Sequence, residues 1–447
     1  MSGPSARKIS QTFDLLSVHR SAPDDWPFLL ASEAGEPSLA RWSILFRQAG
    51  ETVLSQCVDE TSEDFLSRLR SATLGSKRPR VSGATSNLPF CGGWFVYLGY
   101  ELAGLIEPSL VLPASGDQLP VAFAARCPAA LVFDHLKLEC WLSAESPAWL
   151  EQIEIELKAM KRVPEPPTIG LPALDVEADS PDRFISGVER IREWILAGDV
   201  FQVNLSRGWR VSAESDLNPV DVYQALATAN PAPFAGLARL PGGTVISSSP
   251  ERLVEVRDNL VQTRPIAGTR PRGGSVTQDH SLSSELLAHP KERAEHIMLI
   301  DLERNDLGRV CQSGSVEVNE LMVIESYTHV HHIVSNVRGK LRADRDAIDV
   351  IAAVFPGGTI TGCPKVRCME IIAALEEKGR GFYTGSMGYI GQDGSMDLNI
   401  LIRSMHVSGR KICFRTGAGI VADSNPEAEL AETHAKARGL LRALEIN

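Results

Sequence analysis

The chain has 447 residues with 45 basic and 56 acidic side chains, a formal net charge of −11. An acidic balance opposes nucleic-acid binding, so a small anionic substrate would have to be drawn by a local site against the global field. Hydrophobic residues at 43% and charged residues at 23% are ordinary for a globular chain, and no apolar run reaches the ~18 residues that a membrane span needs.

The opening "MSGPSARKISQTFDLL" has no apolar core followed by a small-residue cleavage site, so a cytoplasmic protein is expected, with no membrane partner. Eight cysteines are scattered without a CxxC pair, which predicts reduced thiols rather than disulfides or zinc. The runs "LPFCGGWFVYLGYELAG", 88–104, and "CPAALVFDHLKLECWL", 127–142, read as strands and turns, followed by an amphipathic helix at about 146–160. The proline-rich stretch "KRVPEPPTIGLPALDVEADSP" then reads as a linker. The expected organisation is an N-terminal region 1–165, a linker 166–179 and a catalytic region 180–447.

Beyond the linker, Ser180 and Pro181 open a helix as cap and first residue, with Phe184, Val188, Ile191 and Ile195 on one face and Gly198 closing it. The run "RPIAGTRPRG", Arg264 to Gly273, mixes arginine, proline and glycine and predicts a shaped loop, either a surface turn or a wall for an anionic substrate. Further helices are expected at about 291–306, 364–377 and 426–444, with strand-like runs at 200–211, 244–256, 259–268, 385–391, 397–407 and 411–421 and further strands around 316–338. Strands and helices do not alternate regularly. The predicted class is therefore α+β, with large mixed or antiparallel sheets flanked by helices.

Two helices each carry acids three apart, Glu292 with Glu295 and Glu429 with Glu432. Each pair shares a helix face, so the pairs are either solvated surfaces or four carboxylates offered to a hard cation such as Mg²⁺. In "FPGGTITGCPKVRCMEII" a glycine-rich turn enters a helix, as an anion site or as a plain cap; Cys363 and Pro364 stand where a phosphate loop needs lysine and a hydroxyl. Gly417 and Gly419 follow a strand, where glycine either admits a ligand carboxylate or makes a bulge. Arg403 ends an apolar strand and suits a carboxylate or the surface. Among His329, His331 and His332 no fourth metal ligand is in reach, which favours one functional histidine over a metal trio.

The ordered blocks "FQVNLSR", "SPERLV", "RPIAGTRPRG", "ERAEHIMLIDLERNDLGRV", "GGTITGCPKVRCMEII", "GSMGYIG" and "RTGAGIVADSNPEAELAET" resemble those of the chorismate-utilising enzymes. That family includes anthranilate synthase component I, aminodeoxychorismate synthase component I, isochorismate synthases and salicylate synthases. The match runs from about Ser180 to the C-terminus, and it implies the anthranilate synthase component I-like fold. By resemblance, Glu295 and Glu432 match Mg²⁺ ligands, with Glu292 and Glu429 supporting them. Arg403, Tyr389, Lys436, Gly417 and Gly419 match positions that hold substrate carboxylates, while Thr269 and Thr359 line the same pocket. Glu251 matches the general acid that helps the 4-hydroxyl depart, and His332 a histidine that assists.

Gln202 stands where isochorismate and salicylate synthases place a lysine that activates water. Glutamine cannot deprotonate water, so ammonia is the implied nucleophile. The blocks "GGTITGCPKVRCMEII" and "MDLNILIRS" look more like aminodeoxychorismate synthase, as does "LLAS" at Leu29 to Ser32 in place of Leu-Leu-Glu-Ser. Ala267, where well-known members of that branch carry a nucleophilic lysine, looks instead like anthranilate synthase. The implied reaction is Mg²⁺-dependent amination of chorismate to 4-amino-4-deoxychorismate for 4-aminobenzoate and folate synthesis. The rivals are anthranilate formation and an inactive chorismate-binding subunit. No Gly-x-Cys-x-Gly elbow surrounds any cysteine, so ammonia is expected from a separate glutamine amidotransferase subunit.

Overall fold

The computed structural model describes residues 4–10, 13–35, 40–50, 53–56, 65–75, 87–160, 172–327 and 330–446. Two antiparallel sheets face each other, of twelve and ten strands among the described residues. The larger runs from Ser5–Ile9 and Glu139–Ala144 through Phe28–Ala31, Phe234–Leu240 and Gly243–Ser249 to Lys411–Ile420 and Gln202–Ala213. The smaller runs from Ile266–Pro271 and Val330–Lys340 through Arg252–Arg257, Met396–Asn399 and Ser386–Gly391 to Gly93–Leu98 and Ala122–Cys127. Both sheets therefore combine strands from before and after the proline-rich stretch, the earlier ones together at one end of each sheet. This is the mixed α+β arrangement expected from the irregular order of elements.

The two-residue period of a strand divides the core. In Gly93–Leu98, Phe95 and Tyr97 point between the sheets, where Phe95 stacks on Phe28 with ring centroids 4.0 Å apart. Trp94, Val96 and Leu98 point outward beneath helices Phe65–Gly75, Pro290–Gly308 and Ala347–Val354. On the other outer face, Leu29, Leu45 and Leu131 pack with Leu150, Leu226 and Leu440 of three further helices.

The helices expected near 146–160, 181–197, 291–306, 364–377 and 426–444 form as Pro147–Ala159, Pro181–Leu196, Pro290–Gly308, Lys365–Glu376 and Pro426–Ala443. Pro181 takes the first turn as expected, although the Ser180 side chain makes no capping hydrogen bond. Within the proline-rich stretch, Leu174–Ala178 forms a strand paired with Gln202–Ala213.

Where the strand-like run 259–268 and the shaped loop Arg264–Gly273 overlap, the structure corrects the loop reading. Ile266–Pro271 is a strand paired with Val330–Lys340, with a register shift between Ala267 and Thr269. Gly268 lies at φ +73 in that bulge, a left-handed backbone that glycine takes without a Cβ clash. The neighbouring strand supplies the ladder that continues the pairing past Gly268, where composition pointed to a loop.

Candidate active site

Strands Gln202–Ala213 and Lys411–Ile420 pair with Asn204 opposite Gly419 and Ser206 opposite Gly417. The backbone N–H groups of Asn204 and Ser206 go elsewhere, to Thr361 O at 2.9 Å and Glu376 Oε1 at 2.9 Å. The Gly417 carbonyl accepts Lys436 Nζ at 2.9 Å. Both facing pairs are thus of the kind without mutual ladder bonds, which directs the N–H groups of Gly417 and Gly419 off the ladder.

Side chains converge on this glycine edge. Helix Pro290–Gly308 brings Glu295, whose Oε1 accepts the Gln202 Nε2 amide at 2.6 Å. Helix Pro426–Ala443 brings Lys436, which pairs with Glu432 at 2.7 Å one turn away. A Cβ built on Gly417 would lie 2.9 Å from Tyr383 Oη and 3.0 Å from Asn204 Oδ1, and one on Gly419 2.4 Å from Gln202 Nε2. Glycine is what lets these groups approach the strand.

Glu251 follows strand Gly243–Ser249 and is buried at 5% exposure. Its Oε1 accepts the Thr359 hydroxyl at 2.9 Å. Burial pushes the carboxyl pKa up to about 7; the Thr359 bond opposes this, Glu303 reinforces it, and Lys436 pulls it back. At neutral pH the group is poised to release a proton.

His332 is buried, with Nδ1 2.9 Å from Thr269 Oγ1 across the bulged strand pair. Burial, aided by Arg403 and Lys436, lowers its pKa to about 4, so the imidazole is neutral at physiological pH. Arg403 sits at φ +53, an unfavoured left-handed backbone for arginine. Burial depresses its pKa, and Tyr383 is its one opposing electrostatic neighbour. Among the described residues no acidic side chain pairs with it. A half-buried guanidinium without a counter-ion suits an anionic ligand.

Several expectations land elsewhere. Tyr389 does not face this edge: it packs against Phe90 and Phe46, with centroids 5.5 and 6.1 Å away, in the inter-sheet core. There it lines a separate cavity of about 250 Å³ with Ser32, Arg41, Arg252 and Asp397. Strand alternation aims Tyr389 between the sheets, while Tyr383 in the preceding turn takes the place beside Gly417 and Arg403. Tyr383 lies two residues before the block "GSMGYIG" that carries the resemblance, so the resemblance does not reach it.

The arginines that suggested an anion-binding wall are internally paired. Arg264 meets Glu320 and Glu325, Arg270 meets Glu285 and Glu292, and Arg272 meets Asp279. The glycine-rich turn is likewise a packed cap: Gly358 abuts Leu302 and Glu303, and Lys365 Nζ reaches Asp306 at 2.5 Å and Val354 O at 3.0 Å. His331 joins Ser326 and Asp279 at 2.8 and 2.9 Å, while His329 lies outside the described residues.

The four acids are not gathered into a closed metal cage. Glu295 is held by Gln202, Glu432 by Lys436 and Glu292 by Arg270 at 3.2 Å, with Glu429 one turn before Glu432. Among the described residues no group of three or more His, Cys, Asp or Glu side chains is close enough to hold a metal ion. The donor set is nevertheless all carboxylate oxygen on two helices bordering one edge, which fits Mg²⁺, an ion that keeps waters and takes one or two carboxylates.

The sequence profile of the chorismate binding enzymes matches residues 27–442, and the chain belongs to that family. It is 46% identical over 439 residues to the anthranilate synthase component I-like protein of Synechocystis sp., covering 98% of this chain and 90% of that one. It is 43% identical over 371 residues to aminodeoxychorismate synthase component 1 of Bacillus subtilis, covering 80% and 78%. The crystal structure of anthranilate synthase component I from Streptococcus pneumoniae superposes with a TM-score of 0.78 at 32% identity, over 90% of this chain and 92% of that one. The fold and the enzyme family are thereby established. The relatives include both aminating branches.

Proposed function

We propose that the protein aminates chorismate with ammonia, in a Mg²⁺-dependent reaction that gives 4-amino-4-deoxychorismate. The observation that carries the amination is Gln202. It is buried at 4% exposure beside Glu295, at the position where a lysine would activate water. A carboxamide has no basic lone pair at neutral pH, so the nucleophile must already be competent, as ammonia is.

The residues divide the remaining work. Glu251, protonated up to about pH 7, donates to the departing C4 oxygen. Neutral His332, fixed by Thr269, lies beside the ring without adding charge. Arg403, Lys436, Tyr383 and the N–H groups of Gly417 and Gly419 hold the two carboxylates. Mg²⁺, when held by Glu295 and Glu432 with Glu292 and Glu429 further out, would withdraw electron density through the ring carboxylate. We read residues 180–447 as the catalytic region, 1–165 as an N-terminal region that completes both sheets, and the stretch 166–179 as the connection. The protein works in the cytoplasm, with a glutamine amidotransferase subunit as its ammonia source.

Two sequence blocks favour C4 amination. Ala267 favours a second reading, anthranilate formation: it is a buried strand residue opposite Ile333, with no nucleophile to offer at C2. Incubation with chorismate, Mg²⁺ and ammonium, followed by product identification, decides. A product that an added lyase converts to 4-aminobenzoate supports the first reading, and direct appearance of anthranilate replaces it with the second.

A further inference from the structure

Among the described residues, two side-chain oxygens at the glycine edge have no hydrogen-bond donor. Gln202 Oε1 and Asn204 Oδ1 are buried and unpartnered, on residues 4% and 8% exposed. They lie two apart on one strand and so project from one face. The Gln202 amide nitrogen is committed to Glu295, which leaves its oxygen as the free acceptor. The carboxamides lie over Gly419 and Gly417 respectively.

A buried acceptor without a donor costs about 1–3 kcal/mol, and such groups are retained where a ligand completes them. The missing partner must carry N–H or O–H, because a carboxylate would meet these oxygens with like charge. Arg403, Lys436 and the glycine N–H groups already provide for anions. Ammonia has three N–H donors and one lone pair. Two acceptors on one side bind it while directing the lone pair away from the strand.

We infer that Gln202 Oε1 and Asn204 Oδ1 form the ammonia-binding subsite, holding the nucleophile between strand Gln202–Ala213 and the bound ring. The inference rests on the amination reading, but it fails separately. If the wild-type protein forms no aminated product from chorismate and ammonium chloride, the amination reading falls. If it does, the subsite is tested by Asn204→Ala and Asn204→Ser, with KM for ammonium, KM for chorismate and the Mg²⁺ activation constant measured for each.

The expected result is a rise of about tenfold in KM for ammonium, the worth of one buried hydrogen bond, with the chorismate and Mg²⁺ constants within about twofold. Asn204→Asp, which keeps an acceptor oxygen at that place, should recover most of the loss. An unchanged KM for ammonium overturns the inference. A rise confined to chorismate overturns it in favour of an acceptor for the substrate hydroxyl, and a shift confined to Mg²⁺ in favour of a metal contact. Asn204→Ser keeps the comparison available should Asn204→Ala not fold.

Discussion

Thr359 donates its hydroxyl to Glu251 Oε1 at 2.9 Å, while the adjacent Gly358 backs onto Glu303 of helix Pro290–Gly308. One turn thus separates two buried carboxyls, each with its pKa raised by burial to about 7. The proposed general acid is thereby brought to titrate near neutrality, and the groups that set this can be changed one residue at a time.

The alkaline limb of kcat/KM should report Glu251. A general acid works in its protonated form, so activity is present below about pH 7 and falls about tenfold per pH unit above it. Thr359 stabilises the charged form, so Thr359→Val should move the limb to higher pH. Glu303 disfavours it, so Glu303→Gln should move the limb lower. Shifts of the opposite sign in a pH–rate series would remove Glu251 from the acid role.

Glu251→Gln should lower kcat by about 10²–10⁴-fold while leaving the affinity for chorismate nearly unchanged. Calorimetric titration with chorismate beside steady-state kinetics separates the two effects. A near-normal kcat would refute the assignment.

Arg403→Ala should raise KM for chorismate by about 30-fold or more, as expected when one partner of a buried charge pair is truncated. Binding measured without turnover checks this. An unchanged affinity would mean that this half-buried guanidinium serves the fold alone.

Gly419→Ala tests the close approach at the site edge. The added Cβ would sit 2.4 Å from Gln202 Nε2, the end of a side chain that can turn away, and 3.5 Å from Glu295 Oε1. Thermal stability should change little while turnover drops on the order of tenfold or more, in line with the sensitivity of catalysis to displacements near 1 Å. Equal losses of stability and activity would argue for a purely structural glycine.

Glu376→Ala should destabilise the protein by about 3–5 kcal/mol, the usual cost of breaking a buried ion pair. Glu376 and Arg380 both have side chains 1% exposed, and they bond at 2.7 Å; Arg415 adds a second ion pair at 2.6 Å. Arg380 also lies under Tyr383, with its guanidinium 5.6 Å from the ring centroid, and donates to Asn204 O at 2.7 Å. A denaturant melt showing less than about 1 kcal/mol of loss would contradict this network role.

Local sequence determined what depends on near neighbours. Proline at the first helical turn and acids at spacing three fixed helices Pro290–Gly308 and Pro426–Ala443, and alternation fixed the long strands, because caps and periodicities act within a few residues. The order of the motif blocks carried the family. What the tertiary structure decided were pairings between residues far apart in the chain. It carried the strand on through Thr269–Pro271, where a loop was expected, by supplying the ladder from Val330–Lys340. It spent the arginines of that segment on acids 7 to 61 residues away. It aimed Tyr383 rather than Tyr389 at the glycine edge, and it set Gln202 and Asn204 over glycines more than 200 positions later. Each of these rests on which face meets which across two sheets, and a one-residue change of register reverses every face.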